Sequence, residues 1–263
     1  MSTVTVKDVN KTYPGLGAGD APDSSIVALD GVSFRVEDHE FCAVLGHSGC
    51  GKTTLLMMMA GFEQPTSGAI LVDDKPVGKP AWQRTVVFQE YALFPWMTVM
   101  QNIAFGLEMK RIAVAERTDI IRRNIELVGL QGFENRYPHQ LSGGMKQRVS
   151  IARALAVDPE VLMMDEPFAA LDAQNRSLMQ EEMGRIIASA DPSQRKTMVL
   201  VTHSIEEAII LSDRIVVLTR RPGRVKANIV VDLPRPRDEE DPRFIALRRQ
   251  IRELIHDEFA VET

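Results

Sequence analysis

The run Gly46-His47-Ser48-Gly49-Cys50-Gly51-Lys52-Thr53 follows the apolar stretch EFCAVLG and precedes TTLLMMMA, a stretch of helical composition. A G-x-x-x-x-G-K-[ST] pattern set between a buried strand and a helix constrains the fold more than any other part of the chain. Its glycines let the backbone curl until several N–H groups face one anion, and the helix start adds the positive end of its dipole. Lys52 is expected to reach the β- and γ-phosphates of a nucleotide, and the Thr53 hydroxyl to ligate Mg²⁺. Residues 46–53, together with Thr54, are therefore the candidate phosphate-binding segment. The pattern names a nucleotide but not a machine, since a small-molecule kinase or a GTPase would share it.

Around this loop, strand and helix alternate. VTVKDVNKTY and IVALDGVSFRVE read as strands, separated by a Gly/Pro/Ser/Asp-rich loop at 14–25. AILVDD and TVVFQE are two short strands. Residues from about 93 to 158 become mainly helical, with Ile120, Ile121, Asn124, Ile125 and Val128 near one stripe. EVLMMDE, TMVLVTH and RIVVLTR return as apolar strands, with helices expected at LMQEEMGRIIASA and IEEAIILS. The alternation predicts an α/β core with a parallel sheet. The strand VLMM ends in Asp165 and Glu166. Asp165 is placed to approach a magnesium ion from a strand end, and Glu166 to orient or deprotonate an attacking water.

Composition narrows the class. Of 263 residues 44% are hydrophobic and 25% charged, which is enough for one large domain or a core with an inserted lobe. The net charge of −5 gives no basic footprint for nucleic acid, and the basic RRQIR run near the C-terminus has acidic neighbours. No run approaches the length of a bilayer span, and the N-terminus has no signal-peptide pattern. Cys42 and Cys50 lack metal-ligand spacing and suit a reducing compartment.

Leu141-Ser142-Gly143-Gly144-Met145, followed by Lys146-Gln147-Arg148, separates the nucleotide machines. Ser142 and two glycines opening a helix make a second anion-ready helix start. One γ-phosphate does not need two such sites in one chain, whereas a head-to-tail pair of chains uses both. The segment resembles the LSGGQ signature of ATP-binding-cassette ATPases, with Met145 in the final place. Further residues match that family in order. Tyr13 stands where an aromatic stacks on adenine. Gln89 matches the glutamine that reaches Mg²⁺ and water. Asp172, in Ala170-Leu171-Asp172, matches the residue that crosses the dimer interface. His203 matches the histidine that contacts the γ-phosphate.

The resemblance implies a P-loop NTPase of the ABC ATPase fold, with a RecA-like core, an antiparallel β-subdomain and an inserted helical subdomain. As one domain over 1–263, it would place the β-subdomain and core at about 1–92 and 159–235. The helical signature subdomain would span about 93–158, and a C-terminal helix about 236–263. Catalysis would rest on Glu166, His203, Lys52 and Gln89, and Mg²⁺ on Thr53, Gln89 and Asp165. ATP would be held by Tyr13, Gly46, His47, Ser48, Gly49, Cys50, Gly51, Lys52, Thr53 and Thr54, with Ser142, Gly143, Gly144 and Asp172 acting across a homodimer. LFPWMTVMQNIAFGL, LSGGMKQRVSIARAL and LPRPRD look most like the ATPases of nitrate, taurine and alkanesulfonate importers. That likeness implies membrane permease subunits docked near Tyr91–Met97, a solute-binding protein, no nucleic acid, and a peripheral place on the cytoplasmic face of the inner membrane. It also implies no added regulatory β-domain after the last helix. Phe94 and Trp96 could instead simply pack the lobe. An exporter ATPase or a non-transport ABC ATPase is the alternative function.

Overall fold

The computed structural model describes residues 2–15, 25–169, 171–172, 176–177, 179–181, 183–184 and 196–256. Most of the loop expected at 14–25 and of the helix expected at LMQEEMGRIIASA therefore lies outside the described residues. In chain order the elements are β1 (Val4–Tyr13), β2 (Ile26–Val36), β3 (Phe41–Leu45), α1 (Lys52–Ala60), β4 (Ser67–Val72), β5 (Lys75–Pro76) and β6 (Arg84–Val87). There follow α2 (Val99–Met109), α3 (Val114–Leu127), a 3₁₀ turn (Pro138–Gln140), α4 (Gly143–Ala156) and β7 (Val161–Asp165). The chain closes with β8 (Thr197–Thr202), α5 (Ile205–Leu211), β9 (Arg214–Leu218), β10 (Val225–Val230) and α6 (Pro242–His256). These residues form two compact units, 1–81 with 196–263, and 82–195.

The first unit holds two groups of strands. β1 pairs antiparallel with β2 on one side and β4 on the other, and β5 adds to β4. Val4, Val6, Val9, Val32, Phe34 and Val36 fill the buried face, as alternation along half-buried strands requires. In the other group β3 lies between β8 and β9, parallel to both. All five residues of β3 and all six of β8 are buried. This continuous burial explains why both read as unbroken apolar runs. β10 pairs antiparallel with β9. The sequence reading expected only parallel strands here; a short turn after β9 lets the chain double straight back.

The second unit carries β6 and β7, paired in parallel, and the helical segment. Val99, Ile103 and Leu107 of α2, Ile121 and Ile125 of α3, and Val149, Ala152 and Ala156 of α4 share one apolar core. Their spacing of three and four residues puts each set on one helix face. The expected stripe is present: Ile121, Ile125 and Val128 are buried, and Ile120 packs beside them. Asn124 lies on the same stripe and satisfies its amide by donating to Ile120 O at 2.9 Å. α2 begins with a reciprocal cap in which Thr98 Oγ1 accepts from Gln101 N and Thr98 N donates to Gln101 Oε1. No helix among the described residues is long and apolar enough to cross a membrane.

Candidate active site

In the first unit, β3 delivers the chain into the glycine loop and α1 carries it away. The Lys52 side chain is buried, at 4% exposure, and folds back over the loop. Its Nζ donates to Gly46 O and to His47 O, each at 2.9 Å. These two bonds keep an ammonium inside the curl of the loop, where it offsets the loop carbonyls and gives the loop a positive charge. Gly51 caps α1 with φ of 100° and no side-chain cap. A Cβ there would lie 2.7 Å from Leu29 Cδ2 and 3.0 Å from Ala28 O, so conformation and space both demand glycine. Gly51 has no side chain with which to cap α1, so the positive end of the helix is set at the loop, where an anion can be taken up.

The loop has a backing that no local motif announces. Gly223, in the turn between β9 and β10, presses against it: a Cβ on Gly223 would lie 2.2 Å from Cys50 O. Gly223 N donates to Ala28 O at 2.9 Å, and Asp30 N donates to Gly223 O at 3.0 Å. Arg224 Nε donates to Asp30 Oδ2 at 2.9 Å, tying the same turn to β2. The turn-prone Pro-Gly pair at 222–223 was the one available signal, and it does not name its partner.

Parallel pairing brings His203 to the mouth of this loop. Leu45 is in register with Thr202, so Gly46 and His203 leave adjacent strands at the same end. His203 is exposed. The turn after it is fixed by Thr202 Oγ1 donating to Glu207 Oε2 at 2.5 Å and Ser204 N donating to Thr202 Oγ1 at 3.0 Å. Tyr13 ends β1, with its Oη 3.3 Å from Thr54 Oγ1 and 2.7 Å from Glu63 Oε2. Tyr13, residues 46–54 and His203 thus belong to the first unit.

The second unit carries the remaining candidates. Val87 of β6 is in register with Met164 of β7, so Gln89 and the pair Asp165–Glu166 emerge at one end of two adjacent strands. Asp165 is 6% exposed. Glu166 has φ of 44°, a left-handed conformation that a non-glycine residue adopts at a cost of about 1 kcal/mol or more. The turn it makes is closed by Ala169 N donating to Glu166 O at 3.1 Å. Ser142 caps α4, accepting from Met145 N at 3.3 Å, as its place in the sequence led us to expect. Ser142 is exposed and Gly144 buried. Asp172 is exposed, and its carbonyl accepts from Arg176 N at 2.9 Å. Ala170 lies outside the described residues.

Thr53 in the first unit, and Gln89 and Asp165 in the second, each carry side-chain oxygen, the hard donor type that suits Mg²⁺.

The second unit also has a surface cavity of about 490 Å³ lined in part by Trp82, Phe105, Met109, Lys110 and Arg153. Lys110 Nζ lies 3.7 Å from the centre of the Trp82 ring. Phe94 packs on Phe105 at 4.6 Å between ring centres, whereas Trp96 is 69% exposed. Phe94 therefore packs the lobe, whereas Trp96 touches it only through the Phe94 ring, 5.7 Å between ring centres, and stays mostly exposed. Asn102, fully buried, pins this segment: its Oδ1 accepts from Phe94 N, and its Nδ2 donates to the carbonyls of Phe94, Met97 and Thr98.

A glycine loop between a buried parallel strand and a helix, with an enclosed lysine, defines a P-loop nucleotide-binding protein. The family model described as "ABC transporter" matches residues 29–169. An uncharacterized ABC transporter ATP-binding protein of Methanocaldococcus jannaschii is 52% identical over 233 residues, covering 89% of this chain and 86% of that protein. The nitrate import ATP-binding protein NrtD of Synechococcus elongatus is 42% identical over 259 residues, covering 96% of this chain and 91% of that protein. Among solved structures, a dimeric bacterial ABC transporter cassette superposes with a TM-score of 0.73 at 29% identity, over 88% of this chain and all of that one. The chain belongs to the ABC transporter family. It is an ATP-binding subunit of that family, an ATP hydrolase coupled to transport.

Proposed function

We propose that this ATPase works as a head-to-tail homodimer with two shared ATP sites, and that it powers uptake of a small solute of the nitrate, sulfonate or taurine class. The observation that carries the dimer is a second helix start built for an anion: α4, opened by Ser142, Gly143 and Gly144, with the Ser142 hydroxyl capping Met145 N. A cassette similar to this chain was solved as a dimer bound to ADP and phosphate, which supports the reading.

In this reading Tyr13 stacks on the base, and residues 46–54 hold the phosphates of one nucleotide. Ser142, Gly143 and Gly144 of the partner copy cover its γ-phosphate, and Asp172 crosses the interface. Thr53, Gln89 and Asp165 would hold Mg²⁺, which when bound neutralises charge on the β- and γ-phosphates. Glu166 orients the attacking water and accepts its proton. His203 donates to the γ-phosphate, and Lys52 balances charge on the phosphate oxygens. Each nucleotide gains its second set of contacts only when the two copies close, so ATP shifts the pair toward the closed state and hydrolysis releases it.

The cavity beside Phe105 and Met109, with Trp96 exposed nearby in sequence, supports docking of a permease helix near Tyr91–Met97. The complete importer would add a solute-binding protein and would hold this subunit at the cytoplasmic face of the inner membrane. The likeness to the nitrate import protein over 96% of the chain supports the solute class.

The test is Glu166→Gln. With Mg²⁺ and ATP this variant is expected to double in mass by light scattering and to turn over roughly two to four orders of magnitude more slowly than the parent chain. A variant that hydrolyses ATP at the parent rate removes Glu166 from its role. One that binds ATP and remains a single copy removes the dimer.

A further inference from the structure

We propose that Glu63 is a positioning residue for the base of the nucleotide, holding the Tyr13 ring in fixed register with the helix that follows the phosphate loop. This rests on the reading of Tyr13 as the residue that stacks on the base.

The contacts around Tyr13 are more numerous than a packing aromatic requires. Its Oη lies 2.7 Å from Glu63 Oε2 and 3.3 Å from Thr54 Oγ1. Lys11, two residues earlier on the same face of β1, places its Nζ 4.9 Å from the centre of the Tyr13 ring. The same ammonium lies 3.3 Å from Glu63 Oε2 and donates to Gln64 O at 2.9 Å. Glu63 is thus held between an ammonium and a phenol. It comes three residues after α1 ends, and Thr54 lies in the first turn of that helix. The aromatic of β1 is therefore hooked to both ends of the helix that begins at Lys52.

Counting protons shows which hook carries the load. A phenol has one O–H, and an ionised carboxylate can only accept. Glu63 therefore takes the Tyr13 proton, and the Thr54 hydroxyl is the donor to Oη. Burial pushes the Tyr13 pKa above its ordinary value, and the Glu63 carboxylate adds to the rise, so the phenol remains a donor throughout the neutral range. Thr54 also belongs to the segment expected to bind phosphate. A hydroxyl has one proton to give, so once Thr54 donates to a phosphate oxygen it no longer donates to Tyr13. With nucleotide bound, the bond to Glu63 is what keeps the ring from swinging about its χ angles. A ring held in advance loses less rotamer freedom when a base stacks on it.

The experiment compares two probes by calorimetry, Mg·ATP and Mg·tripolyphosphate, the second having no base. Glu63→Ala is expected to raise the Kd for ATP on the order of 5- to 10-fold, the usual net size of one intramolecular hydrogen bond, and to leave the Kd for tripolyphosphate unchanged. Tyr13→Phe should show the same split, and the double variant should be no weaker than Glu63→Ala alone. Glu63→Gln retains an acceptor oxygen and should stay within about twofold of the parent. It keeps the test decisive should the alanine variant fold poorly, because equal weakening of both probes by Glu63→Gln would make the residue a prop of the phosphate loop and overturn the proposal. An unchanged ATP affinity in Glu63→Ala would overturn it as well. If the parent chain binds tripolyphosphate and ATP equally well, Tyr13 does not hold a base, and the reading beneath the proposal fails instead.

Discussion

Replacing Gly223 by alanine tests whether the phosphate loop depends on a turn far from it in sequence. The added methyl carbon would sit 2.2 Å from Cys50 O and 3.0 Å from Leu29 Cδ2. Carbon–oxygen contacts settle near 3.3 Å, so the turn or the loop must retreat by about 1 Å. Neither yields easily. Gly223 is held on both sides by backbone bonds to Ala28 and Asp30, and Cys50 N donates to His47 O at 3.3 Å inside the loop. Forced overpacking of this kind costs about 1–3 kcal/mol, and backbone against backbone puts the value toward the upper end. In a chain of this length that corresponds to a fall in Tm of about 5–10 °C. The displaced carbonyl belongs to the phosphate loop, so the Kd for ATP should rise by about 10-fold or more. Differential scanning calorimetry and nucleotide titration read the two effects. Gly78→Ala is the control, since a Cβ at Gly78 meets nothing within 4 Å. A Gly223→Ala chain with the parent's Tm and ATP affinity would refute the idea that this turn braces the loop.

Asn102→Ala should cost about 2–3 kcal/mol in urea unfolding, because it removes the four hydrogen bonds by which a fully buried amide holds the part-buried backbone of Phe94, Met97 and Thr98. The same variant should weaken capture of the permease more than it slows ATP hydrolysis by the free subunit; equal loss of both would detach that segment from docking. Cys42 is fully buried, and burial, above all other causes, pushes its thiol well above the ordinary cysteine range. Burial thus disfavours its thiolate, and iodoacetamide should label Cys42 only after unfolding, as mass mapping would show.

What could be read from the chain was what sits close together along it. The β3–loop–α1 passage declares itself because strand, glycines, lysine and helix are contiguous, and the Ser142 cap because its acceptor and donor lie three residues apart. The ends of β3 and β8 are a middle case: the order of motifs suggested His203, but only the register of Leu45 with Thr202 puts it beside Gly46. Contacts between distant segments left no trace. Nothing near Gly223 announces Cys50, nothing in Glu63 announces Tyr13, and Asn102 reads as a polar break in an apolar helix until its four partners are known. β10 went unread because its apolar residues are spread over both faces, with Val230 63% exposed. Such an edge strand lacks the clean alternation that marks a half-buried one.

The shared site is most directly tested by mixing two disabled chains. Lys52→Ala spoils the phosphate loop of its own copy, and Ser142→Arg spoils the cover it offers to a neighbour. Each alone should be inactive. Combined in equal amounts, half of the pairs would be mixed and each mixed pair would hold one intact site, so ATPase activity should recover to about a quarter of the parent's. A mixture as inactive as its components, or full activity from Ser142→Arg alone, would contradict the account.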